Sequence, residues 1–230
     1  MQNYGELKQL GSGIWVRDGE WYASSFRRRM TVMALPNYDL IVHNAFILKN
    51  EDISRLCSLG TVVGIVMPNA LHGDEIGWMV AKFPQARVLV PSAALKKAKV
   101  KHRVTGCLER DWPEEWSSSI VCLPVEGLRM IHESAFYHKA SRSLVLTDLV
   151  FNMKAEDFKT PIERKIMSWN RVGTGFGPSR LCDSLFTKDM GARRRSIATM
   201  LSWDFDRVIM SHGQVLESGG KATMEKAFNF

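Results

Sequence analysis

The chain has 230 residues, 45% hydrophobic and 24% charged, with a formal net charge of +7. That length can bury one full core, and the longest apolar runs fall well short of the ~18 residues a membrane-spanning helix requires. Met1 to Glu6 carries no apolar signal segment, so a cytoplasmic protein is expected.

Cys57, Cys107, Cys122 and Cys182 are widely spaced with no C-x-x-C pair, which excludes a zinc knuckle or a thioredoxin-like motif and suits reduced thiols. Positive charge gathers at Arg27-Arg28-Arg29, Lys96 to Arg103 and Arg193-Arg194-Arg195. A nucleic-acid partner is not expected, because no aromatic residues interleave these clusters and no RRM, KH or zinc-finger pattern accompanies them. They read as solvated faces that mildly favour an anionic small molecule as substrate.

Asp18-Gly19 within Ile14 to Tyr22 predicts a hairpin turn. Arg27 to Leu35 predicts a strand, Pro36 to Asp39 a turn, Leu40 to Ile47 another strand, and Glu51 to Leu59 a helix capped by Asn50 and closed by Gly60. Thr61 to Met67 is an apolar, β-branched run that reads as a buried strand, stopped by Pro68-Asn69. Ile76, Trp78, Met79, Val80 and Phe83 then have the spacing of a short amphipathic helix ending at Pro84. Arg87 to Val90 is a strand, Pro91 to Lys99 a basic helix, and Asp111 to Trp116 a loop or single turn.

From Ser119 to Val150 the pattern is three successive strands, with turns at Gly127 and Ser141 to Ser143. Phe151 to Trp169 reads as partly helical, and Gly173 to Pro178 as a loop of breakers. Thr187 or Asp189 caps a helix whose stripe is Met190, Ile197, Met200 and Leu201. Arg207 to Met210 is the last strand, and Gly219-Gly220 leads into a C-terminal helix. The pattern favours two packed sheets with helices outside, in a single domain over residues 1–230.

Three apolar strands end in residues that can ligate a metal: His72 with Asp74 and Glu75, then Asp148, then His212-Gly213. Buried carboxylates and imidazoles are costly unless paired, and a cation is an efficient partner. His43, His132, Glu133 and His138 also lie near strand ends, and His132 or Glu133 could supply a further ligand. All four are read as polar residues on open strand faces.

Strand, metal-ligand loop and helix, then a strand ending in Asp and one ending in His-Gly, together resemble the metallo-β-lactamase-fold superfamily. The strings RRRMTVMAL, PNALHGDE, FYHKASRSLVLTDLVFN and WDFDRVIMSHG look closest to a divergent branch of it. The resemblance implies an α/β fold, a four-layer αββα sandwich with its site at one edge between the sheets. Set on the family's HxHxDH loop, His72 and Asp74 match, while Ala70 replaces the first histidine and Glu75 the last. After Gly127, Leu128-Arg129 stands where a further histidine is expected, so a three-histidine site cannot form.

What the resemblance leaves is one divalent ion held by Asp74, Asp148 and His212, with His72 beside it and Glu75 as a substitute oxygen ligand. Zinc suits that set best, with manganese or ferrous iron as alternatives. The function implied is metal-dependent hydrolysis of an ester, amide, thioester or phosphoester by a metal-activated water. Asp74 would orient or deprotonate that water, and His72 would stabilise charge or protonate the leaving group. The alternative is a non-catalytic binding or structural protein that keeps the fold around a vestigial site.

Overall fold

The computed structural model describes residues 6–20, 26–96, 98 and 103–230. The first sheet runs in the order β1 (Lys8–Gly11), β2 (Ile14–Glu20), β3 (Arg27–Ala34), β4 (Asp39–His43), β5 (Thr61–Val66), β6 (Arg87–Val90) and β7 (Gly106–Cys107). Pairing is antiparallel up to β4 and parallel from β4 to β7. Next in the chain come β8 (Ile120–Pro124), β9 (Ser134–His138), β10 (Ser143–Val145), β11 (Phe151–Lys154), β12 (Thr174–Gly177) and β13 (Arg207–Ile209). The second sheet has the order β13-β10-β9-β8, with β10 and β13 parallel; β11 and β12 form a two-stranded sheet, and Asn152 of β11 also bridges Gly213. The helices fully within the described residues are α1 (Asn50–Leu59), α2 (Ile76–Lys82), α3 (Glu114–Ser117), α4 (Pro161–Trp169), α5 (Arg180–Ser184), α6 (Met190–Leu201) and α7 (Gly220–Phe228).

Alternation along the strands builds the layers, because successive side chains point to opposite faces of a sheet. In β4, Leu40 and Val42 pack outward against α1 and α2, which contribute Leu56, Ile76 and Met79. Ile41, between them, points inward and joins Met33 and Leu89 against Phe136, Val145 and Ile209 of the second sheet. On that sheet's far face Leu144 and Val208 meet Ile197 and Met200 of α6 and Met224 of α7. Three apolar cores thus separate four layers, helix–sheet–sheet–helix, as the sequence leads one to expect.

Several local expectations are corrected. Asp18-Gly19 is no hairpin turn: β2 continues through it, and Asp18 pairs in register with Arg29 and binds its guanidinium at 2.7 Å. Gly19 is there for space, since a Cβ would lie 2.8 Å from the Phe46 ring. The turn falls at Gly11 to Gly13, where Gly13 takes the left-handed conformation at φ +67°. Trp21 and Tyr22, the expected second arm, lie outside the described residues, as does part of the basic helix after Pro91.

The stretch from Phe151 to Trp169 is helical in part, as expected, over Pro161–Trp169, but it opens with the strand Phe151–Lys154, and the glycine-rich stretch supplies its partner β12. Strand there tolerates glycine because nothing packs on it: a Cβ at Gly175 or Gly177 would meet no atom within 4 Å. The strands after Leu40 and Ser143 stop at His43 and Val145, short of the expected Ile47 and Val150. In α6, Asp189 is the cap, accepting from Ala192 N, and Met190 is exposed instead of joining the apolar stripe.

Candidate metal centre

Parallel strands present their carboxyl ends at one edge, where loops can converge. The loop after β5 is tied to the second sheet by Ser134 N donating to Pro68 O at 2.9 Å and Ala70 N to Ile131 O at 2.7 Å. Asn69, fully buried, shapes it: its Oδ1 accepts from Leu71 N at 2.9 Å and His72 N at 3.0 Å. This side-chain turn, favoured by asparagine, aims His72 inward.

Asp148 follows β10. Glu133, 1% exposed, lies behind it and accepts from Thr147 N at 2.8 Å and Asp148 N at 2.7 Å. His212 follows β13, and the next residue must be glycine. Gly213 sits at φ +92°, and a Cβ there would come 2.1 Å from Asn152 O. Phe151 stacks on the His212 ring at 5.7 Å and Phe26 meets it edge-on at 5.4 Å.

Nε2 of His72 and Nε2 of His212 stand 3.2 Å apart. Each is also 3.2 Å from an Asp148 oxygen, Oδ2 for His72 and Oδ1 for His212. Asn69 Nδ2 donates to the same Oδ2 at 2.7 Å. Among the described residues these three side chains form the group able to share an ion, with ligand atoms within 4.8 Å of one another.

Hydrogen bonds behind the rings decide what they present in front. Asn44, left-handed at φ +57°, donates through Nδ2 to Arg29 O at 2.8 Å and Ser211 Oγ at 3.1 Å. Its Oδ1 therefore faces His72 Nδ1 at 3.0 Å as an acceptor, so that nitrogen carries the proton. His212 Nδ1 likewise donates to Arg27 O at 2.6 Å. In the neutral rings both Nε2 atoms consequently point lone pairs at a carboxylate. That arrangement is repulsive until a positive charge joins it, and only a proton or a metal cation can do so.

The electrostatics agree. Burial disfavours the imidazolium of His72, but Asp148, by charge and by hydrogen bond, outweighs it and the pKa is raised. Burial alone would raise the Asp148 pKa, yet His72 and His212 hold it well below the ordinary carboxylate range. Glu133 is pushed up to about 7, by burial first and by the Asp148 charge second.

A metal fits this donor set. Tetrahedral bonds of about 2.1 Å put neighbouring donors roughly 3.4 Å apart, close to the 3.2 Å seen here. Both histidines have their far nitrogen held by a backbone or amide oxygen, the support that metal-ligating histidines ordinarily receive.

Of the residues expected at the site, His72, Asp148 and His212 come together and two others do not. Asp74 is exposed and outside the group. Glu75 is taken up by other partners, its Oε1 2.7 Å from Arg28 and its Oε2 accepting from Ile47 N at 2.9 Å. The guanidinium satisfies that carboxylate where it is. His72 stands in the group itself, with Nδ1 held by Asn44 and Nε2 facing Asp148.

Leu128 is buried in the second sheet's outer core, and Arg129 Nε donates to Leu185 O at 2.6 Å, so neither substitutes for a ligand. His132 and His138 also lie outside the group, and His138 is occupied by Ser141 Oγ and Ala34 O. His43 faces the inter-sheet core edge-on to Phe136 at 5.2 Å, and burial first and His72 second bring its pKa down to about 3. Sequence reasoning missed Asn44 and the second role of Asn69, and placed Glu133 on an open strand face. An asparagine just past each of two strand ends was the available signal.

No family model matches this sequence, and no curated protein matches it significantly. Solved structures do. A metallo-β-lactamase from Hirschia baltica superimposes with a TM-score of 0.63 at 12% identity, covering 97% of this chain and 96% of that one. One from Erythrobacter litoralis gives 0.65 at 12% identity over 99% and 97%. The mono-zinc form of FIM-1 from Pseudomonas aeruginosa gives 0.62 at 7% identity over 97% and 94%. The chain therefore has the metallo-β-lactamase fold over nearly its whole length.

Proposed function

We propose that this protein is a metal-dependent hydrolase with a single divalent ion, most suitably zinc, held by His72, Asp148 and His212. The observation that carries the proposal is the meeting of two oriented imidazole lone pairs and one carboxylate within 3.2 Å. FIM-1, of the same fold, has a mono-zinc form, which supports a one-ion site. Such an ion supplies Lewis acidity and brings the pKa of water down towards about 7. The chain's own contribution is to fix both imidazole tautomers through Asn44 and Arg27 O, to orient Asp148 through Asn69, and to wall the site with Phe26 and Phe151.

For a substrate we propose a small organic anion. A cavity of about 330 Å³ borders Ser211 and Gly213, on either side of His212, and is lined by Arg27, Arg28 and Arg29 together with the carboxylates of Asp18, Glu156 and Asp157. Arg29 is committed to Asp18 and Met210 O, and Arg28 to Glu75, which leaves the exposed Arg27 best placed to meet a charged substrate. No described helix is long and apolar enough to cross a membrane. A cytoplasmic location is supported by the four free thiols.

The test is hydrolysis of aryl ester and aryl phosphodiester substrates by protein stripped with chelator and then reloaded with zinc. Turnover that vanishes on stripping, returns on reloading and is abolished in Asp148→Ala supports the proposal. A second reading, a binding protein with a structural ion, is favoured by the burial of His72 and His212 at 9% and 2% exposure. Full zinc loading without turnover on any ester, amide, thioester or phosphoester class would select it.

A further inference from the structure

A large concavity lies away from the candidate metal centre. It has a volume of about 650 Å³ and runs between β12, the start of α6 and the end of α7, sharing no lining residue with the His72–Asp148–His212 group. That volume lies within the usual range for small-molecule sites. Its wall combines charge and rings in a way that solvated faces do not.

Arg171, Arg193 and Arg194 line it, with Asp183 as the one acidic side chain in the wall. Asp183 is shared: its Oδ1 binds Arg193 Nη1 at 2.7 Å and its Oδ2 binds Arg171 Nη1 at 3.3 Å. One side-chain carboxylate does not neutralise the two guanidinium groups it binds. Arg193 is 2% exposed, and its Nε and Nη2 have no hydrogen-bond partner among the described residues. Buried donors without partners are rare and costly, and a buried cation in excess of its counter-charge is costlier. Two rings stand over these cations: Phe228 lies 5.5 Å from the Arg193 guanidinium, and Phe230 lies 4.2 Å from that of Arg194.

We propose that this cavity is a second ligand site, for an organic anion carrying an aromatic ring, with a phosphate or carboxylate as the anionic group. Arg171 and Arg194, both at the surface, meet the anionic group. The excess charge of Arg193 behind them supplies field in a partly desolvated wall, where it is screened less than in water. Phe228 and Phe230 offer faces for the ring, and the guanidinium planes extend that stacking surface. Neither half of the ligand uses the whole site, so ring and anion joined in one molecule bind better than either apart.

Calorimetric titration with 1-naphthyl phosphate and 1-naphthoate tests this, with inorganic phosphate and 1-naphthol as the two halves. To keep the metal centre from consuming the probe, the protein is the metal-stripped chain and, in parallel, Asp148→Ala. The expected result is saturable binding of at least one joined probe, tenfold or more tighter than either half, equal in both proteins, and weakened tenfold or more in Arg171→Gln/Arg194→Gln. Both substituted arginines are exposed, and an unchanged melting temperature would verify that the double variant folds. Phe230→Ala, which spares every ion pair, should weaken the joined probes while leaving inorganic phosphate unaffected. No saturable binding, equal binding of the joined probes and their halves, or binding indifferent to all these changes would overturn the proposal. Agreement between the stripped chain and Asp148→Ala separates this site from the hydrolytic one.

Discussion

At the level of single residues, the candidate centre depends on side chains outside the His72–Asp148–His212 group. Asn44 is the clearest case, since its Oδ1 selects the His72 tautomer and its Nδ2 ties together Arg29 O and Ser211. Asn44→Ala should lower zinc affinity by about 10- to 100-fold, the usual loss when such outer support is removed. Asn44→Asp keeps an acceptor facing Nδ1 but sets an oxygen against Arg29 O, so it should hold zinc better than Asn44→Ala while melting below the unsubstituted protein; chelator competition and melting curves measure the two effects. The pKa shifts give a further expectation for the metal-free protein. Asp148, depressed, contributes stability that is in place above the ordinary carboxylate range and is lost as pH falls through its folded value. His72, raised, contributes stability that is in place below about pH 6.5 and is lost as pH rises through its folded value. Metal-free protein should therefore melt at lower temperature as pH rises past neutrality. Zinc-loaded protein should not, because metal binding favours the deprotonated rings. Melting curves at pH 6 to 9 with and without zinc check the contrast, and Asp148→Asn should flatten the metal-free dependence.

At the level of elements, the strand ends carry the design. Gly213 must be left-handed with Asn152 O where its Cβ would be, whereas Gly175, also left-handed at φ +102°, has open space. Gly213→Ala should cost on the order of 2–3 kcal/mol or more in urea unfolding and displace His212, while Gly175→Ala costs about 1 kcal/mol of backbone strain alone. This contrast also explains what the sequence made legible. Apolar strands stopping at Asp148 and His212 are visible as pattern, because period and punctuation are local. The side of the loop on which Asp74 and Glu75 would fall was not, since it depends on Arg28, distant in sequence, claiming Glu75. Asp18-Gly19 misled for the same reason: a strong local turn signal was overridden by pairing with β3 and by the Phe46 ring. Glu133 looked like a half-exposed strand residue because nothing in its own neighbourhood reveals that Thr147 and Asp148 donate to it.

Across the whole molecule, the inter-sheet core holds the two halves of the centre in register. His72 leaves the first sheet, Asp148 and His212 leave the second, and Phe136, fully buried, packs between the sheets beside His43. Phe136→Ala should destabilise by about 3–5 kcal/mol and lower zinc affinity with it, because the sheets can then shift. Ile162→Ala, on an exposed face of α4 at 73% exposure, should change stability by no more than about 0.5 kcal/mol, and parallel denaturant titrations compare the two. The central claim is that ligands from two sheets share one ion. Calorimetric titration of the stripped protein with zinc tests it most directly. The expected stoichiometry is near one, lost in each of His72→Ala, Asp148→Ala and His212→Ala and kept in Asp74→Ala and Glu75→Ala. Uptake that survives Asp148→Ala, or that disappears in Asp74→Ala, would contradict it.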